Sequence, residues 1–415
     1  MNSIFVLLKV IFRPPALVCA LCLLPLATVY AQRDIPFSGP FPTAPTGLEN
    51  IPMGEGPWTY PTAEGMDIKV SVVAKLEYPM ALEFLPDGKL LVITRRGEIY
   101  LIEDGEMQNN PIMGGPPSVF AGESGAGGTS HGYIDLVKHP DFENNQLLYL
   151  SYTKPKPEGT NNIAIGRARW NGSSLENFTD IFDPGPGVYG VARLAFGHDG
   201  KLYVTTNGSD PQSLKTLSGK VLRLNDDGSA PLDNPFVGNS EARPEIFSYG
   251  HRGALGLAIH PESGEVFQNE NGPNGGDELN WIKPGYNYGW PLVSLGRTYP
   301  GPWQTNDRPT HAIFEPPIVY WTPAIAISGM LFYTGDALPA WKNDILVGAL
   351  RTGEIPGTGH LERIMLNRDY QEVRRESLIT DLRQRVRDIE MGPDEFIYLA
   401  TEQRDGAILK IEPAD

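Results

Sequence analysis

The sequence predicts an all-β fold, a β-propeller of short antiparallel blades. Three observations predict it. One strand–turn–strand phrase recurs along the chain, glycine and proline are abundant (46 and 38 among 415 residues), and amphipathic helical periodicity is hard to find. Hairpins repeated at long intervals favour propeller blades over a sandwich, which is the alternative.

In chain order, residues 1–31 read as an export signal. Lys9 and Arg13 precede an apolar run from Ala16 to Ala27, and Val29-Tyr30-Ala31 supplies small residues for cleavage. The run is shorter than the roughly 20 apolar residues of a spanning helix, and Pro25 interrupts it. A secreted or periplasmic protein is expected, with no membrane contact after cleavage. Cys19 and Cys22 would leave with the signal, so the mature chain would carry neither disulfides nor thiol chemistry. Residues 32–65 are rich in Pro, Gly and Thr without periodicity and predict an extended arm. Residues 66–415 are expected to form a single propeller domain.

Within that domain the recurring phrase reads strand, tight turn, strand. Ala81 to Leu85 leads through Pro86-Asp87-Gly88 into Lys89 to Val92, and Ala192 to Phe196 leads through His198-Asp199-Gly200 into Lys201 to Val204. Leu257 to His260 leads through Glu262-Ser263-Gly264 into Glu265 to Phe267. Asp388 to Met391 leads through Pro393-Asp394 into Phe396 to Leu399. Gly and Asp tolerate the positive φ that such hairpins demand. His139-Pro140-Asp141-Phe142, before Leu147 to Tyr152, is a looser relative.

A formal net charge of −16 argues against nucleic acid or an anionic membrane as partner. No Gly-x-Ser-x-Gly elbow, P-loop or dinucleotide fingerprint stands in the right context, and no Cys-x-x-Cys-His marks a haem. His139, His198, His260, His311 and His360 lack metal-ligand spacing.

The most informative stretch runs from Asn269 to Pro291, where Glu270, Asp277 and Glu278 stand among glycines and asparagines. Such a loop can turn main-chain carbonyls toward one point, as calcium requires; a plain tight turn is the competing reading. It follows Ser248-Tyr249-Gly250-His251-Arg252. With Gly219 to Asn225, Asp233-Asn234-Pro235-Phe236, Asn287-Tyr288-Gly289-Trp290-Pro291 and Arg385-Val386-Arg387-Asp388, it resembles the soluble quinoprotein sugar dehydrogenases, the glucose/sorbosone dehydrogenase family. The resemblance runs from about Val70 to the C-terminus. It implies six four-stranded blades, a number that the spacing alone leaves open.

The resemblance further implies oxidation of an aldose by hydride transfer to pyrroloquinoline quinone held on Ca2+, with electrons passed to an external acceptor. Arg252 would contact the quinone, and Arg351 stands where the family often has lysine. Arg385 and Arg387 match a pair that grips carboxylates, and strand alternation would aim both at one ligand. Gly272 and Pro273 match carbonyls that hold the cofactor's calcium, while Glu278 and Tyr288 match a second calcium site. Ser130 stands at a pocket position where the family carries Gln or Glu. The plainer reading of the arginines is ion pairing with the excess of Asp and Glu.

Tyr189 replaces the histidine that serves as catalytic base in the family. Tyrosine titrates near ~10 and needs a nearby cation, such as Arg193 or Arg252, to serve at neutral pH. His131, in the Gly-rich loop after Ser130, is a second candidate for moving the proton. Gly253-Ala254-Leu255, Ala324 and Ile327 depart from the family pattern as well. These departures leave two other functions open. One is a quinone-independent lactonase or lyase acting on an anionic carbohydrate, and the other is a carbohydrate-binding propeller. A monomer or homodimer is expected.

Overall fold

A computed structural model describes residues 48, 51–120, 131–156, 161–185, 187–296, 310–353 and 355–414. The export signal and Ser130 lie outside the described residues. Six antiparallel sheets form the blades of a six-bladed β-propeller, five of four strands and one of five. The inner strands are Pro79–Phe84, Tyr133–Lys138, Leu194–Phe196, Gly253–Ile259, Ile327–Phe332 and Val386–Met391. Each packs against the next, and the sixth packs against the first, which closes the ring.

The hairpins predicted from sequence join the inner strands to the second strands. Gly88, Gly200 and Gly264 take φ of +85°, +69° and +74° at the turns into Leu90–Thr94, Leu202–Thr205 and Val266–Asn271. In the sixth blade, Glu395 takes the left-handed conformation (φ 63°) before Ile397–Thr401. The Asp side chains brace these turns: Asp199 Oδ1 accepts from Lys201 N (3.0 Å), and Asp394 Oδ1 from Phe396 N (3.2 Å). The second blade instead uses the one-turn helix Phe142–Asn145 before Leu147–Lys154.

The sixth blade is sealed by a strand from far upstream. Ile68–Lys75 pairs antiparallel with Ala407–Pro413, from Ile68 opposite Pro413 to Lys75 opposite Ala407. Part of the segment read as an extended arm adds a further strand, Trp58–Tyr60, on the outer edge of that blade. Covering an edge in this way blunts its unpaired backbone groups. Apolar side chains fill the space between blades, with Trp341, Tyr333 and Phe267 fully buried. No helix among the described residues is long and apolar enough to cross a membrane.

This topology sorts the chemistry. The hairpins lie at one end of the strands. At the other end the inner strands begin and the second strands finish. Arg252, Arg385 and Arg387 stand at inner-strand starts, with His131 and Tyr189 on the approaches. Arg95, Gly272, Arg351 and Glu402 stand just beyond second-strand ends at the same end. Between the two ends, Arg193 bridges the channel, pairing with Asp135 (3.2 Å) and with Asp388.

Candidate active site

One corner is built on a single carboxylate. Glu402 accepts from Arg385 Nη2 (3.1 Å) and Arg387 Nη2 (2.6 Å) on one oxygen, and from Arg95 Nη1 (2.6 Å) on the other. Arg385 Nε also donates to the Glu402 carbonyl (3.2 Å). Burial pushes the Glu402 carboxyl up, but the charges of Arg387, Arg385 and Arg95 outweigh it and hold it well below the usual range. Arg387 and Glu402 are both buried, and Arg387 Nε has no hydrogen-bond partner. Arg385, just before its strand, and Arg387, within it, meet at one group, the Glu402 carboxylate, which is the ion pairing of the plainer reading. Arg95 also lies over the Phe120 ring (5.7 Å).

The second corner is built on carbonyls. Arg252 Nη1 donates to the carbonyls of Asn271 (2.9 Å) and Gly272 (3.2 Å), with its guanidinium over the Trp290 ring (5.4 Å). The loop carrying these carbonyls turns very tightly. A Cβ at Gly272 would stand 2.2 Å from the carbonyl oxygens of Gly275 and Gly276, so only glycine fits. Asp277 ties the loop down. Its Oδ1 accepts from Gly272 N (2.9 Å), and its Oδ2 from Ile325 N (2.9 Å) and Ile327 N (3.1 Å) on the fifth blade. Burial raises Asp277 to about 6 against these hydrogen bonds.

Arg252 is rooted by a buried network. Glu270 Oε1 accepts from Arg252 N (3.0 Å), and Glu270 Oε2 bonds His251 Nδ1 (2.8 Å). His251 Nε2 meets Ser248 Oγ (2.8 Å), and the ring stacks on Tyr288 with centroids 4.6 Å apart. Ser248, His251 and Glu270 have the connectivity of a hydrolytic triad, but all three are buried and Ser248 is fully enclosed. They position Arg252 and cannot present a nucleophile.

Arg252, Gly272, Pro273, Glu278 and Tyr288 line one small cavity with Glu270, with about 10 Å³ of space within it. That is roughly one water-sized sphere. Burial, and then the charge of Glu270, raise the Glu278 carboxyl well above its usual range. A half-buried acid beside a buried one, on a loop whose tight turn gathers main-chain carbonyls, is an oxygen donor set. These residues therefore fit a hard divalent ion. Among the described residues no group of three His, Cys, Asp or Glu could hold a metal.

The other described candidates, Tyr189, His131 and Arg351, stand at the same end of the strands. Tyr189 is 43% exposed, and its carbonyl accepts from Val191 N (3.1 Å). Arg193, one candidate for lowering its pKa, is committed to Asp135 and Asp388 inside the channel. His131 precedes Gly132, which packs so closely that a Cβ there would meet the Arg95 carbonyl at 1.7 Å. Arg351 N donates to the Ile325 carbonyl (3.2 Å), so the loop that Asp277 anchors also seats Arg351. A larger cavity, about 640 Å³, opens at the hairpin end past Pro86, Pro140 and Pro261. Its lining includes none of the described residues assigned to the site.

Two residues of this site escaped the sequence reading, Arg95 and Glu402, and Asp277 was read only as an acid of its loop. Arg95 and Glu402 shared a positional signal: each directly follows the second strand of a recognisable hairpin, as Gly272 does.

Comparison with known proteins agrees with this geometry. The family described as Glucose / Sorbosone dehydrogenase matches residues 76–410. The aldose sugar dehydrogenase of Escherichia coli (strain K12) is 34% identical over 370 residues, which cover 86% of this chain and 95% of that protein. The solved apo-form of the soluble aldose sugar dehydrogenase from Escherichia coli superposes with a TM-score of 0.76 at 33% identity, covering 84% of this chain and 100% of the other. The pyrroloquinoline quinone-bound aldose sugar dehydrogenase from Streptomyces coelicolor gives 0.66 at 26% identity, covering 85% and 99%. The chain belongs to the glucose/sorbosone dehydrogenase family, oxidoreductases that act on CH–OH groups.

Proposed function

We propose that this chain is an exported quinoprotein that oxidises an aldose or a related alcohol and passes the electrons to an external acceptor. One observation carries the reading. A guanidinium, two acids and a tight carbonyl loop face one small cavity at the strand-start end, the chemistry that an anionic cofactor on a hard cation needs. A relative of 26% identity has been solved in its pyrroloquinoline quinone-bound form.

When bound, the quinone would supply the hydride acceptor. Gly272 and Pro273 would hold its calcium through their carbonyls, with Glu278 and the Tyr288 carbonyl serving a second ion. Arg252 would meet the quinone, and Arg351, Arg385 and Arg387 would orient its carboxylates, the last two already held in place by Glu402. Ser130 belongs to the same proposed lining. The sugar hydroxyl proton would pass to Tyr189 or His131.

The exposure of Tyr189 at the family's base position favours a second reading, in which the arginines grip an anionic carbohydrate without a quinone. The two separate in one experiment. Calcium and pyrroloquinoline quinone are added to the protein, the visible spectrum is followed, and a sugar panel is offered with a dye acceptor. Stoichiometric binding with dye reduction supports the first reading. Absence of quinone binding, with turnover of a lactone or uronate, supports the second. Tyr189→His is expected to raise dye reduction if the base alone limits it.

A further inference from the structure

The Gly272 carbonyl is claimed twice. In the structure it accepts from Arg252 Nη1 (3.2 Å), and in the quinoprotein reading it is a ligand of the cofactor's calcium. A carbonyl oxygen has two lone pairs, so both cations can reach it. Their charges, however, then lie within a few ångströms of each other, and the repulsion is equivalent to a loss of at least about tenfold in affinity.

Arg252 cannot leave the cavity to relieve this. Its backbone N–H is held by Glu270, and the preceding His251 is bonded at both ring nitrogens and stacked on Tyr288. The guanidinium is further held over the Trp290 ring. The root of the side chain is therefore clamped, and its positive charge stays beside the carbonyl floor. Glu270 is occupied by His251, Arg252 N and Gln268 Nε2 (3.1 Å), so it is already shared among several donors.

We infer that Arg252 couples the two ligands of the site: it opposes calcium at the Gly272 floor until an anion lies between the two cations. Calcium uptake by the protein alone is weak at this position. A polycarboxylate such as the quinone screens Arg252 from the metal and makes it strong. By linkage, calcium raises affinity for the anion by the same factor. The inference rests on the quinoprotein reading for the place of the metal. Its test has a readout that needs neither quinone nor turnover.

The test is calorimetric titration of calcium into the whole, metal-stripped protein without quinone, comparing wild type, Arg252→Gln and Arg252→Lys. Arg252→Gln is expected to bind one equivalent of calcium at least about tenfold more tightly than wild type. Arg252→Lys, which keeps the charge, is expected to bind as wild type does. With quinone present, the calcium affinity of wild type rises and the glutamine variant loses most of that rise. Equal calcium affinity in wild type and Arg252→Gln overturns the inference, as does absence of calcium uptake by both. Should the glutamine variant not fold, wild type decides: equal calcium affinity with and without quinone overturns it. If no protein takes up quinone while Arg252→Gln still gains calcium affinity, the quinoprotein reading fails and the charge coupling stands.

Discussion

The two arginine corners of the site are built on opposite plans. Arg385 and Arg387 lean on a buried carboxylate, whereas Arg252 leans on carbonyls. A guanidinium paired with Glu402 is fixed by charge and partly neutralised by it. A guanidinium on carbonyl dipoles is fixed in direction yet keeps its full charge for a ligand. The carboxylate corner satisfies its guanidiniums within the protein, and the carbonyl corner lines the small cavity.

The comparison breaks most visibly at Glu402. Glu402→Gln leaves buried arginines without their counter-charge and is expected to destabilise the fold by about 3–5 kcal/mol, read from the urea midpoint. Acid should reproduce part of this loss. The Glu402 carboxyl titrates lower folded than unfolded, so its contribution is complete above the unfolded value near 4.5 and fades as pH falls toward the folded one. The gap between wild type and Glu402→Gln should therefore be full at pH 7 and shrink below about pH 4. A gap that widens in acid would refute the role given to this carboxylate.

Asp277→Ala comes next. It strips the acceptor from three backbone N–H groups on two blades and is expected to cost about 2–4 kcal/mol. Because it releases the Gly272 loop, it should also weaken calcium uptake, whereas Glu402→Gln should act on calcium far less. Trp290→Ala removes the ring beneath Arg252 and should cost about 1 kcal/mol. Tyr189→Phe is the smallest, expected within about 0.5 kcal/mol of wild type in thermal unfolding, since the residue is exposed and the substitution removes only the hydroxyl. A large loss there would mean that the hydroxyl makes a structural hydrogen bond.

How much was legible follows from what each feature depends on. The hairpins at Gly88, Gly200 and Gly264 were readable because local backbone geometry dictates their residues. The blade count was not readable from spacing. The fifth blade passes from Phe332 to Ile345 through the turn Pro339–Trp341 without the Asp-Gly phrase, and the sixth borrows a strand from Ile68–Lys75. Trp58–Tyr60 was hidden because three residues are too few to show alternation. Arg252, Gly272, Pro273, Glu278 and Tyr288 were found through resemblance, and the structure gathers them around one cavity. Arg95 and Glu402 were missed because their meaning is mutual: they are 307 positions apart, and the position of each after a hairpin strand does not reveal its partner. Asp277 was noticed as an acid of the loop, but its hold on Ile325 and Ile327 depends on the neighbouring blade.

The strand Ile68–Lys75 pairs on one edge with the three-residue strand Trp58–Tyr60 and on the other with Ala407–Pro413, far along the chain. Until those distant segments meet, the strand near the start of the ring has only a short local partner, and the circle stays open. Completion of the fold thus waits on a contact between distant segments, a high-separation closure of the kind that slows folding and leaves an unfinished ring exposed to aggregation.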